Sequence, residues 1–72
     1  MTDTERLKEL IQKSGYKLSY VAECLGLTTF GLSKKINNVT EFKSSEIGIL
    51  CDLLHIKSLS EKERIFFVKQ VD

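Results

Sequence analysis

The residues able to do chemistry in this chain are few in kind. There is one histidine, His55, and there are two cysteines, Cys24 and Cys51, with no Cys-x-x-Cys spacing. A zinc site is therefore not expected, and both cysteines read as reduced thiols. No nucleophile–base pair, metal-ligand set or phosphate-binding loop can be traced. His55 closes an apolar helical pattern and reads as a helix cap or surface residue. The expectation is a protein that is no enzyme, with no cofactor and no small-molecule substrate. What remains is hydrogen-bonding and ionic chemistry, and it concentrates in Thr28-Thr29-Phe30-Gly31-Leu32-Ser33-Lys34-Lys35-Ile36-Asn37-Asn38. Leu32 and Ile36 lie four apart and define an inward helix face. Thr29, Phe30, Ser33 and Lys34 are left on the outward side. Lysine brings donors only, threonine and serine bring both donor and acceptor, and Phe30 brings an apolar plate. Such a set performs non-covalent recognition, unless the face is merely solvated or Phe30 turns into the core.

That helix must be positioned by its neighbours. Val21, Ala22 and Leu25 recur at i, i+1 and i+4 and mark one buried face of a preceding helix. Gly26 supplies a left-handed residue to end it, and Leu27 is an apolar residue within the turn. Thr28 then suits the N-cap of the next helix. A helix, a three-residue turn and a second helix, with small Ala22 permitting close approach, follow the logic of a helix-turn-helix. Upstream, a first helix is predicted to begin at Thr2, Asp3 or Thr4, with Thr2 and Glu5 spaced as a capping box, and to end at Gly15. Leu7, Leu10 and Ile11 form its stripe. For the second helix, local capping favours a start at Ser19, which leaves barely one and a half turns. Downstream, Phe42 is expected to fold back on the core. A fourth helix should start near Lys43 or Ser44, with Ile47, Leu50, Cys51 and Leu54 inward. Ile49 and Leu53 widen its apolar surface and suggest burial on two sides. Ser60 and Glu63 are spaced as another capping box, followed by Ile65-Phe66-Phe67-Val68-Lys69-Gln70-Val71, which periodicity leaves open between strand and fifth helix.

Ala22, Gly26 four residues on and Leu32 six further, with Val21, Leu25 and Leu27 between, resemble the helix-turn-helix of phage-repressor-type DNA-binding domains. The run Lys34 to Asn38 with Glu41-Phe42-Lys43 and Ser45-Glu46-Ile47 is similar to small Cro-like regulators encoded by phages of Gram-positive bacteria. The general resemblance covers roughly residues 4–56, and the finer one extends through Ile65-Phe66-Phe67. It implies a mainly α bundle of four to five short helices, with the second helix starting near Lys17 so that Leu18 joins the core. In that family the helix after the turn enters the major groove. By position, Thr28, Thr29, Phe30, Ser33 and Lys34 would meet base edges: lysine on guanine O6 or N7, hydroxyls on either partner type, and apolar groups on the thymine methyl. Gly31 departs from the better helix formers of the family. An interior glycine costs about 1 kcal/mol relative to alanine, which leaves a close approach to the second helix or to a DNA backbone as its two readings.

Charge places the phosphate contacts. Net charge is +1, weak support for a nucleic-acid partner. Gln12 to Lys43 holds five cations against two anions, whereas Ser44 to Asp72 holds four against five. Lys17, Lys35 and Lys43 are the expected phosphate contacts, with Ser19, Asn37 and Asn38 as neutral donors. Asn37 and Asn38 equally suit a left-handed helix end without any DNA. The 72 residues form one domain, 1–72, of ordinary globular composition. No signal peptide or membrane-length apolar run is present, so a cytoplasmic location is expected. Ile65, Phe66, Phe67 and Val68 exceed what so small a core can bury, and residues 60–72 are the expected homodimer segment. An extended pairing across the twofold is favoured there over helix against helix. The function expected is a sequence-specific DNA-binding transcriptional regulator, a Cro-like repressor bound as a homodimer to a pseudo-palindromic double-stranded operator. The alternative is a helical protein-interaction module, antitoxin-like or an anti-repressor partner, with weak DNA affinity.

Overall fold

Each apolar stripe closes into a helix, and local capping groups decide where each begins. The computed structural model describes residues 1–69. Among these it holds five helices and no strand: α1 Thr4–Ser14, α2 Leu18–Cys24, α3 Thr29–Ile36, α4 Ser44–Leu53 and α5 Leu59–Phe66. Gln70, Val71 and Asp72, the end of the expected dimer segment, lie outside the described residues.

Helix α2 starts after Lys17, as the resemblance implies, and not after Ser19. Gly15 ends α1 with φ of 78°. Two N-caps differ from expectation. The α1 cap is Asp3, whose carboxylate accepts from the Arg6 amide at 3.1 Å. Thr2 cannot serve, because its own amide and carbonyl are both bonded to the Asn38 side chain at 2.8 Å. The α5 cap is Ser58, which accepts from the Glu61 amide at 3.1 Å, and Ser60 lies inside the helix.

Three helix ends share one device. After α2, the Gly26 amide bonds to Glu23 O and the Leu27 amide to Ala22 O. After α3, the Asn38 amide bonds to Lys35 O and the Val39 amide to Lys34 O. After α4, the His55 amide bonds to Asp52 O and the Ile56 amide to Cys51 O. Each paired set is the Schellman motif, which needs a left-handed residue at the pivot. Gly26, Asn38 and His55 hold φ of 70°, 63° and 58°. Glycine takes that conformation freely and asparagine at modest expense. His55 is thus a helix end, as its position suggested.

The core gathers Leu7 and Ile11 of α1, Val21, Ala22 and Leu25 of the α2 segment, and Leu32 and Ile36 of α3. Ile47, Leu50 and Cys51 of α4 join them with Ile56, Ile65 and Phe66. Leu18, Leu27 and Phe42 pack against its edge. Phe42 meets Phe66 edge to face, ring centroids 5.7 Å apart at 84°, a favoured aromatic geometry. Ile49 stays exposed and Leu53 is half-buried, so α4 is not covered on two sides among the described residues.

The C-terminal run is helical through Phe66. Ile65 and Phe66, expected at a dimer surface, belong to the core, with 0% and 4% of their surface exposed. The reason is that the N-terminal residues run beside the end of α5. The Asp3 amide bonds to Ile65 O at 2.6 Å, and the Val68 amide to Met1 O at 2.9 Å. The helix is thereby turned so that Ile65 and Phe66 face inward. Phe67 and Val68 remain exposed.

Candidate nucleic-acid interface

The connection from α2 to α3 is built from backbone hydrogen bonds and one apolar anchor. Gly26 turns the chain, Leu27 packs against the core, and Thr28 begins α3 by accepting from the Gly31 amide at 3.0 Å. Gly31 lies close to this cap. A methyl group there would sit 3.2 Å from Thr28 Oγ1, so the close neighbour is the capping oxygen, not the preceding helix. Leu32 and Ile36, 0% and 3% exposed, seat α3 on the core and fix its rotation.

That rotation turns the expected face outward. Thr28 and Thr29 are exposed, and Phe30 keeps 73% of its surface in contact with solvent. Lys34, one turn later, carries its ammonium 5.3 Å from the Phe30 ring centroid, within cation–π range. Ser33 is half-buried, and its carbonyl and hydroxyl both accept from the Asn37 amide group, at 2.9 and 3.4 Å. A core role for Phe30 is thus set aside.

The expected phosphate contacts divide into two groups. Lys17, Ser19, Asn37 and Lys43 are exposed, and among the described residues neither Lys17 nor Lys43 makes an ion pair. Lys35 and Asn38 are committed elsewhere. Lys35 Nζ lies 2.5 Å from Glu46 Oε1, with the two side chains only 12% and 8% exposed. The same carboxylate oxygen accepts from the Lys43 amide at 2.8 Å, at the start of α4. Burial pushes the Glu46 carboxyl up, but the hydrogen bonds from Lys35 and Lys43 and their charges outweigh it and hold it below the ordinary carboxylate value. Lys35 is therefore a tie between α3 and α4. The Asn38 side chain donates to Thr2 O and accepts from Thr2 N, which makes it a clamp on the N-terminal residues.

Glu46 was the residue that sequence reasoning missed. Its signal was available: it stands three residues after Lys43, the N3 position of a helix capped there, where an acidic side chain reaches back to the cap amide. Also unforeseen is an exposed tyrosine pair beside Lys17 and Ser19. Tyr16 and Tyr20 meet at a tilt of 38° with centroids 5.1 Å apart and remain 38% and 47% exposed. Leu59, at the start of α5, is 70% exposed.

Cys24 and Cys51 are free thiols, and burial pushes the Cys51 thiol up, keeping it neutral. No helix among the described residues is long and apolar enough to cross a membrane. What the α3 face offers is a shallow outward surface: an apolar ring, hydroxyls, one ammonium across the ring, and further cations and hydroxyls at the helix ends. No protein-family model matches this chain, and no curated protein or solved structure matches it.

Proposed function

We propose that this chain is a sequence-specific DNA-binding transcriptional regulator of the helix-turn-helix kind, with α3 as the helix that enters the major groove. One observation carries the reading. The face of α3 opposite Leu32 and Ile36 carries exposed Thr29 and Phe30 beside half-buried Lys34, whose ammonium lies across the Phe30 ring, a set able to meet a thymine methyl and base acceptors. A phenylalanine 73% exposed on a helix otherwise so firmly seated points to a partner that covers it. Lys17, Ser19, Lys43 and Asn37 lie at the ends of the neighbouring elements, where donors to phosphate would set register. A single helix of eight residues reads few base pairs. Twofold pairing through Phe67 and Val68 would place two such helices about 34 Å apart on a pseudo-palindromic site.

A second reading, a protein-interaction module with weak DNA affinity, draws on the net charge of +1 and on exposed Leu59, Phe67 and Val39. Salt separates the two. Duplexes retained from a random pool should bind the full chain with an affinity that falls steeply as salt rises. Lys17→Ala and Lys43→Ala should each flatten that dependence by about one unit of slope. Lys35→Ala should act on folding stability instead. Failure to retain any duplex at low salt would refute the DNA reading. Unchanged slopes in the Lys17 and Lys43 variants would remove these residues from the interface.

A further inference from the structure

We propose that Phe30 and Lys34 act as one composite reader of a thymine and a guanine on neighbouring base pairs, a step that rests on the DNA-binding reading above. The two side chains stand one helical turn apart, and the ammonium lies 5.3 Å from the ring centroid. Neither has another use. Phe30 touches no core, and Lys34 makes no ion pair among the described residues. The attraction between ring and ammonium, worth about two- to fivefold at an exposed site, biases the lysine stem to lie beside the ring, so the two present their chemistries to the groove as a pair.

Each half of the pair selects a base by exclusion. An apolar ring pressed on a base edge gains from a methyl group, and only thymine offers one in the major groove. Cytosine and adenine would place an amino group against the ring and strip it of water with no acceptor in return. An ammonium carries donors alone. Guanine, with O6 and N7, is the base whose major-groove edge offers two acceptors and no donor beside a missing methyl. Adenine and cytosine each put an amino group there. Successive bases rise by about 3.4 Å along a strand, so groups 5.3 Å apart match edges on adjacent pairs better than two contacts to one base. Thr29, exposed beside Phe30, accepts or donates and adds no comparable restriction.

The test uses the full chain and duplexes retained from a random pool. A thymine next to a guanine should recur in each half-site. Within that site, deoxyuridine in place of the thymine removes only the methyl group and should weaken the parent about fourfold. It should leave Phe30→Ala unchanged. Replacing the guanine by 7-deazaguanine removes one acceptor from an ammonium and should weaken the parent about tenfold or more, but not Lys34→Ala. In Phe30→Ala the 7-deazaguanine effect should shrink, because the lysine has lost the ring that holds it. Circular dichroism verifies folding, since neither position belongs to the buried core. Tight binding to sites without the thymine–guanine neighbours, or less than a twofold response to both modified bases, would overturn this inference and leave DNA binding standing. A full 7-deazaguanine effect in Phe30→Ala would overturn the composite and leave two independent contacts. No retained duplex at all would overturn the proposed function and this inference with it.

Discussion

Replacing buried Glu46 by alanine should destabilise the fold more than the same change at any other charged residue among those described. One oxygen of Glu46 accepts from Lys35 Nζ at 2.5 Å and from the Lys43 amide at 2.8 Å. Removing it leaves the ammonium of a side chain only 12% exposed without a counter-charge. It also leaves an orphan amide at the start of α4. Breaking a buried pair from one side costs about 3–5 kcal/mol, and losing a partner at a helix N-terminus adds about 1 kcal/mol. The lysine stem is long enough to swing its head into water, which draws the total to the low end, about 3 kcal/mol. A domain of 72 residues has about 4–11 kcal/mol in all, so the melting temperature should fall by roughly 12–24 °C. Urea and thermal unfolding followed by circular dichroism give both numbers. Lys35→Met combined with Glu46→Leu should recover much of the loss, since apolar side chains can replace a buried pair at little cost. The pH dependence has a definite sign. The Glu46 carboxyl titrates below its ordinary 4.5 in the folded chain, so its contribution is complete above 4.5 and is lost as pH falls through the folded value. Glu46→Ala should lack that acid-side loss. An alanine variant within about 0.5 kcal/mol of the parent, or a double variant as unstable as the single one, would refute the argument.

Adjacent phenylalanines at the end of α5 should behave oppositely. Phe66→Ala, at a 4% exposed site against Phe42, should cost about 3–5 kcal/mol. Phe67→Ser, at a 55% exposed site, should leave stability within about 0.5 kcal/mol and weaken self-association in sedimentation equilibrium. A stable Phe66→Ala protein, or a Phe67→Ser protein that associates like the parent, would contradict this division. Asn38→Gly keeps the left-handed pivot but removes the clamp on Thr2. Hydrogen exchange at the Thr2, Asp3 and Val68 amides should therefore accelerate, and Asn38→Ala should add about 1–2 kcal/mol of backbone strain. Unchanged exchange in the glycine variant would show that the backbone bonds to Ile65 and Met1 hold the N-terminal residues by themselves.

Much of this architecture was legible in the sequence, because what ends a helix or turns its face acts within one or two turns. Gly15, Gly26 and Asn38 sit where a left-handed residue was needed, and Thr28 caps α3 through its own hydroxyl. Leu32 and Ile36, four apart, put Thr29 and Phe30 on the outward side, but a core place for Phe30 stayed open until its 73% exposure closed it. The start of α2 after Lys17 was implied by the resemblance and not by capping, as Lys17 supplies no side-chain cap. Tertiary structure alone separated neighbours of the same type. Lys34 and Lys35 are chemically identical, yet one lies across an exposed ring and the other is sealed against Glu46, because α4 begins opposite only one of them. Phe66 and Phe67 part in the same way, where the Met1–Asp3 stretch binds the end of α5 and sets which ring turns inward. Thr2 loses the N-cap to Asp3 because Asn38, 36 positions away in the chain, has taken its backbone. Periodicity and capping are short-range and repeat with the helix. Whether a given side chain at a helix edge is covered depends on what distant elements bring to it, which no local pattern encodes.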